Sequence, residues 1–206
     1  TNTKKNHDLR SYTIRAFNLE KRELVLDFLL HGDSGPASKW ASSVQIGESI
    51  EIAGPGPAIL ASADADWYLF VGDMTALPAI AVNLEKLSSD SKGIALLEIN
   101  SLEDKQDLKR PDGLEVRWII NSDPLNGCED LIKSLSCVEI KGVKPYAWVA
   151  GEFELLRFAR KLLKHDKALP KESMYFSCYW KIGADDPGMK KAKAALILFD
   201  SIKNLF

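Results

Sequence analysis

The sequence predicts an α+β chain of two modules, a β-rich N-terminal part followed by an α/β part built on a doubly wound parallel sheet. Three observations carry that prediction. Up to residues 61–66 strand-like alternation dominates, beyond them short apolar runs alternate with helical periodicity, and Gly54-Pro55-Gly56-Pro57 marks a rigid turn near the change. The boundary drawn from them separates residues 1–62 from residues 63–206.

In the first part, strands are expected over 9–17, 23–30 and 49–53, with one short helix after Pro36. Leu24, Leu26, Phe28 and Leu30 share one face of a period-two pattern, so Gly32 and Gly35 fall where the chain turns sharply. Pro36 suits a first helical turn and leaves the amides of Ala37 and Ser38 able to bind an anion. Similar turns also precede helices that bind nothing.

In the second part, 68–71, 94–99, 116–120 and 147–150 are apolar runs of the kind buried in a parallel sheet. Helical periodicity occupies 77–87, 127–135 and 153–163, and right-handed crossovers put such helices on both faces. A C-terminal helix is expected over 186–204, with Ala195, Leu196, Leu198, Phe199 and Ile202 on its apolar side. The charged stretch 103–110 reads as a solvated loop or helix face.

Composition excludes some function classes. A formal net charge of −2 gives no electrostatic reason to expect nucleic acid. No apolar run reaches membrane-span length, and the polar start lacks the apolar core of a secretory signal. Cys128, Cys137 and Cys178 have no Cys-x-x-Cys spacing, and His7, His31 and His165 lie far apart, so no disulfide framework or resident metal is expected. These readings point to a cytoplasmic protein without membrane insertion.

Upstream of the glycine turn stands Arg10-Ser11-Tyr12-Thr13-Ile14-Arg15, which combines a cation, an aromatic ring and a hydroxyl. A flavin needs those groups. Arg10 can pair with a phosphate, Tyr12 can pack against the ring or ribityl chain, and Thr13 can hydrogen-bond a polar isoalloxazine edge. Their other reading is an exposed strand with Arg and Tyr on its wet face.

With His31-Gly32-Asp33-Ser34-Gly35-Pro36-Ala37-Ser38-Lys39-Trp40-Ala41, this stretch resembles the siderophore-interacting proteins, or ferric-siderophore reductases, of the ferredoxin–NADP reductase superfamily. The resemblance continues through Gly72-Asp73-Met74-Thr75-Ala76-Leu77-Pro78-Ala79-Ile80, Trp148-Val149-Ala150-Gly151-Glu152 and Tyr179-Trp180-Lys181-Ile182-Gly183. It implies a flavin-binding β-barrel over 1–62 and an NAD(P)H-binding domain over 63–206.

The resemblance implies FAD at Arg10, Ser11, Tyr12, Thr13, His31, Gly32, Ala37, Ser38 and Trp40. It implies NADPH or NADH at Gly72, Asp73, Thr75, Ala76, Glu98, Gly151 and Glu152, with Thr75 as a candidate cap of the following helix. A carboxylate at Glu98 would favour ribose hydroxyls over a 2′-phosphate, a preference that nearby Lys or Arg could reverse. Lys181 and Trp180 are candidates for the mouth that takes an anionic ferric siderophore, against their plainer readings as a surface lysine and a core or interface aromatic.

The implied activity is NAD(P)H-dependent reduction of ferric siderophores through FAD with release of Fe(II), so no catalytic side-chain pair is required. Alternatives are a non-catalytic siderophore-binding module, or a flavin reductase or diaphorase with another acceptor. A monomer is expected. Family members carry several barrel strands before Arg-x-Tyr-Thr, whereas nine residues precede Arg10 here, so an incomplete barrel or a break near the N-terminus is expected.

Overall fold

The computed structural model describes residues 9–31 and 35–184, so Gly32 and the C-terminal helix expected over 186–204 lie outside the described residues. The chain divides into two compact units, Thr1–Ile59 and Leu60–Phe206.

In the N-terminal unit, β1 (Ile14–Asn18) and β2 (Glu23–Leu26) form an antiparallel hairpin. The Asn18 side-chain oxygen accepts the Lys21 amide at 3.0 Å, and Arg22 takes φ 55° to bring the chain back. The ladder ends where Ile14 meets Leu26, beyond an irregularity at Ala16. Residues 10–13 and 27–30 therefore fall outside the strands, which are shorter than the alternation suggested.

Segment 49–53 is not a strand either. It is exposed, and among the described residues no neighbour offers it a hydrogen-bonding edge; alternation without a partner makes no sheet. The described part of this unit is thus an open two-stranded sheet followed by α1 (Pro36–Ser43).

The C-terminal unit is a parallel sheet in the order β5-β4-β3-β6-β7. Its strands are β3 (Trp67–Gly72), β4 (Gly93–Ile99), β5 (Leu114–Ile120), β6 (Pro145–Glu152) and β7 (Met174–Trp180). The helices are α2 (Leu77–Lys86), α3 (Glu129–Ser136) and α4 (Phe153–Lys161). Period-two side-chain alternation splits the core into two layers. Phe70, Leu97 and Trp148 pack with Leu77, Ile80 and Leu84 of α2. Leu69, Leu96 and Val149 pack on the other face with Leu131 of α3 and Leu155 of α4.

The link from β4 to β5 contains no α-helix. A 3₁₀ turn at Leu102–Asp104 is capped by Ser101, whose amide and hydroxyl both donate to the Asp104 carboxylate at 2.9 Å. Leu108 is then buried, and the Arg110 guanidinium donates to the carbonyls of Leu108 at 3.2 Å and Leu114 at 3.0 Å. The charged stretch 103–110 is largely solvent-exposed, as expected, with Leu108 alone within it buried in the core.

Strand order reverses between β3 and β6, and all five strands direct their carboxyl ends to one edge of the sheet. Ligands of open parallel sheets lie outside that edge, at the reversal.

Candidate functional site

Asp73 leaves β3 at the reversal and is almost fully buried, with 6% exposure. One carboxylate oxygen accepts the Thr75 amide at 2.9 Å and the Thr75 hydroxyl; the other accepts the Glu152 amide and the Trp180 indole N–H, both at 2.8 Å. A single side chain thus joins the ends of β3, β6 and β7. Burial raises its pKa, while the donors from Thr75, Trp180 and Glu152 work the other way by favouring the charged form.

Gly151 makes this approach possible. Its φ is +139°, and a Cβ there would lie 2.4 Å from the Asp73 carboxylate. Thr75 does not cap α2 with its side chain, as the sequence suggested. Its hydroxyl is turned back to Asp73, while the Asp73 carbonyl accepts the amides of Ala76 at 3.0 Å and Leu77 at 3.1 Å. Gly72 and Ala76 are buried beside this turn; a Cβ on Gly72 would lie 2.8 Å from the Ala76 Cβ.

Glu152, 3% exposed, is the N-cap of α4 and accepts the Glu154 amide. Its other oxygen accepts the Ile182 amide at 3.2 Å, so the chain leaving β7 is held by carboxylates from two other strands. Between those anchors Lys181 places its ammonium 4.4 Å from the centre of the Phe153 ring, a cation–π contact. Trp180 is half-buried.

Glu98, the penultimate residue of β4, is 4% exposed, and its Oε2 has no hydrogen-bond partner. Burial pushes its carboxyl up to about 7, opposed by Asn121 and reinforced by the charges of Asp73, Asp130 and Glu152. Cys128 belongs to the same electrostatic neighbourhood: burial and then Glu98, Glu152, Asp73 and Glu154 push its thiol up to about 12. That thiol stays protonated and is a poor nucleophile. Among the described residues no group of three or more His, Cys, Asp or Glu side chains is arranged to hold a metal ion.

In the N-terminal unit, α1 opens at Gly35 in extended backbone, with Pro36 in its first turn and no acidic side chain there. The Ser38 hydroxyl accepts the His31 amide at 3.1 Å, which folds the segment back on the helix start. A Cβ on Gly35 would lie 3.1 Å from the His31 ring, a tight contact that a side chain there could make only if the ring shifted. Phe28 stands 4.5 Å from Tyr12 and 5.6 Å from Trp40 between ring centres, joining the two motifs through aromatic contacts. Burial raises the Tyr12 phenol pKa, with Arg10 opposing. Arg10 donates to the Leu9 carbonyl at 2.8 Å; Ser11 is exposed and Thr13 half-buried. α1 thus starts from an extended glycine with no acidic side chain in its first turn, and Tyr12, Phe28 and Trp40 form a chain of ring contacts.

Asp73, the pair Gly151-Glu152 and Trp180 stand in three separate sequence motifs, and the structure brings them into one network. Sequence reasoning missed the bonds among them, the Phe28 bridge and the strand β7 itself. The pairing of Gly-Asp after one strand with Gly-Glu after another was the available signal.

Residues 65–183 match the family model described as siderophore-interacting protein, and residues 1–59 match that of the siderophore-interacting FAD-binding domain. The chain is 33% identical over 179 residues to the ferric vibriobactin reductase ViuB of Vibrio cholerae, covering 86% of this chain and 66% of that protein. It therefore spans just under two thirds of that relative. The NADPH-dependent ferric-chelate reductase of Escherichia coli is 25% identical over 174 residues, covering 83% of this chain and 65% of its own. The crystal structure of the siderophore-interacting protein SipS from Aeromonas hydrophila matches with a TM-score of 0.82 at 34% identity, over 91% of this chain and 74% of that one. Among the described residues no helix is long and apolar enough to cross a membrane. With the open sheet, the reversal-point network and matches running through both units, the chain belongs to the siderophore-interacting protein family.

Proposed function

We propose that the chain is a cytoplasmic, monomeric oxidoreductase that reduces ferric siderophores with electrons from NAD(P)H through bound FAD. The observation that carries the reading is the crevice edge at the strand reversal, where Gly72-Asp73 and Gly151-Glu152 face each other beside Trp180. Buried carboxylates with satisfied partners make that edge rigid, and a rigid edge suits the orientation of a dinucleotide.

The N-terminal unit is the FAD-binding part in this reading. The start of α1 around Ala37 and Ser38 receives the pyrophosphate, with His31, the Gly32 that follows it in sequence, and Arg10 as a further cation. Tyr12 and Trp40, linked by Phe28, supply apolar surface for the ring system, and Ser11 and Thr13 supply hydroxyls. Bound FAD supplies the conversion between two-electron donation by a nicotinamide and one-electron delivery to iron. The C-terminal unit holds the nicotinamide dinucleotide along Gly72, Asp73, Thr75, Ala76 and Glu98, with Gly151 and Glu152 at its nicotinamide end. Iron arrives as substrate, as Fe(III) in a siderophore, and leaves as the more weakly chelated Fe(II). Trp180 and Lys181 contribute to the substrate mouth, with the Lys181 ammonium held on Phe153.

The test is reconstitution of the full chain with FAD, flavin absorbance after desalting, and NAD(P)H-dependent Fe(II) release from a ferric siderophore trapped by a ferrous chelator. Retained flavin and chelator-trapped Fe(II) are expected. Failure to retain FAD, or retention with no iron reduction, overturns the reading.

A further inference from the structure

In an open parallel sheet whose dinucleotide crosses at the strand reversal, the adenosine ribose lies beside the carboxyl end of the strand next to the first one, where an acidic side chain reads its hydroxyls. Here that neighbour is β4, and the side chain near its end is Glu98. Glu98 is 96% buried, taking its 4% exposure, yet Oε2 lacks a hydrogen-bond partner. Leaving a buried carboxylate oxygen unpaired is costly unless something else supplies the donor.

The surroundings are of one sign. The charges acting on Glu98 come from Asp73, Asp130 and Glu152. Residues 99–104 and 121–130, which leave the ends of β4 and β5 at this edge, contain Glu103, Asp104, Asp123, Glu129 and Asp130 and no Lys or Arg. The nearby basic residue Arg117 lies within β5, in an ion pair with Glu115 at 2.6 Å. A ribose diol presents O–H donors to such a carboxylate, whereas a 2′-phosphate presents only negative charge and calls for the Arg or Lys that these segments lack.

We infer that the dinucleotide taken by this chain is NADH and not NADPH, and that Glu98 is the residue that selects it by accepting from the adenosine ribose hydroxyls. This rests on the nucleotide-binding role proposed above for the C-terminal unit. The NADPH-dependent relative is 25% identical, and its donor is its own property. The chain is set against that donor by its acidic edge.

Isothermal titration of the full FAD-reconstituted chain with ADP-ribose and with its 2′-phosphate tests the inference without turnover. ADP-ribose is expected to bind at least about tenfold more tightly, the scale of one like-charge contact in a partly solvated site. The Glu98→Gln variant, which keeps an acceptor but loses the charge, is expected to narrow that ratio to about threefold or less. Equal or tighter binding of the 2′-phosphate by the natural chain, or an unchanged ratio in the variant, overturns the selection by Glu98. Failure of both ligands to bind overturns the nucleotide role itself and this inference with it.

Discussion

Replacing Asp73 by alanine is expected to destabilise the C-terminal unit by about 3 kcal/mol, because it strands buried donors on different strands. The Glu152 amide and the Trp180 indole N–H each lose a 2.8 Å bond, and Thr75 loses the acceptor of its amide and hydroxyl. Urea unfolding measures the loss. A double-mutant cycle of Asp73→Ala with Trp180→Phe isolates the bond between β3 and β7, for which a coupling of about 1.5–3 kcal/mol is expected, as for hydrogen bonds to charged groups. A coupling near zero would mean that the indole is held by packing alone.

Glu98→Gln is expected to act in the opposite direction, and increasingly so as pH rises. The folded carboxyl titrates at about 7 against 4.5 for the ordinary group, so it folds most favourably when protonated. Its contribution is fully present below the unfolded value and is lost as pH rises through the folded one. At pH 8 the natural chain carries a cost of about 3 kcal/mol that glutamine lacks, whereas at pH 5 the difference is about 1 kcal/mol. Denaturant unfolding at the two pH values checks this. A stability gap that stays flat or narrows toward pH 8 would refute the burial argument. The gain in stability should accompany a loss of discrimination at the ribose, which is the usual relation between a strained binding group and the fold that holds it.

The second unit was the more legible from sequence because each of its elements carries its own pattern. The run around Leu69 and Phe70 is apolar on both faces and is buried on both, and Leu77 through Leu84 keeps the spacing of a helix that covers one side. Strand β7 was hidden at the sheet edge, where Tyr175, Ser177 and Tyr179 alternate with Met174, Phe176 and Cys178, all but the buried Cys178 in partly buried positions, and no long apolar run forms. In the first unit, alternation in 49–53 was legible but had nothing to pair with among the described residues, and pairing decides strand formation.

Within the site, Gly72-Asp73 and Gly151-Glu152 were readable as ligand-facing turns. That Asp73 reaches Trp180, 107 positions along the chain, was not. Local spacing describes what a residue can do toward its own turn; it is blind to the strand that register later sets beside it. The same blindness assigned Thr75 to the following helix when its hydroxyl belongs to Asp73.

Gly151 meets two separate demands, a backbone at φ +139° and an empty space 2.4 Å from where the Asp73 carboxylate lies. Losing the aspartate relieves the second and leaves the first, so the two positions are asymmetric in their tolerance of change. Descent from a common ancestor should therefore yield chains with glycine but no aspartate more readily than chains with aspartate but no glycine. The dependence runs one way: the Asp73 carboxylate needs a glycine at 151, whereas the backbone there needs glycine with or without the carboxylate.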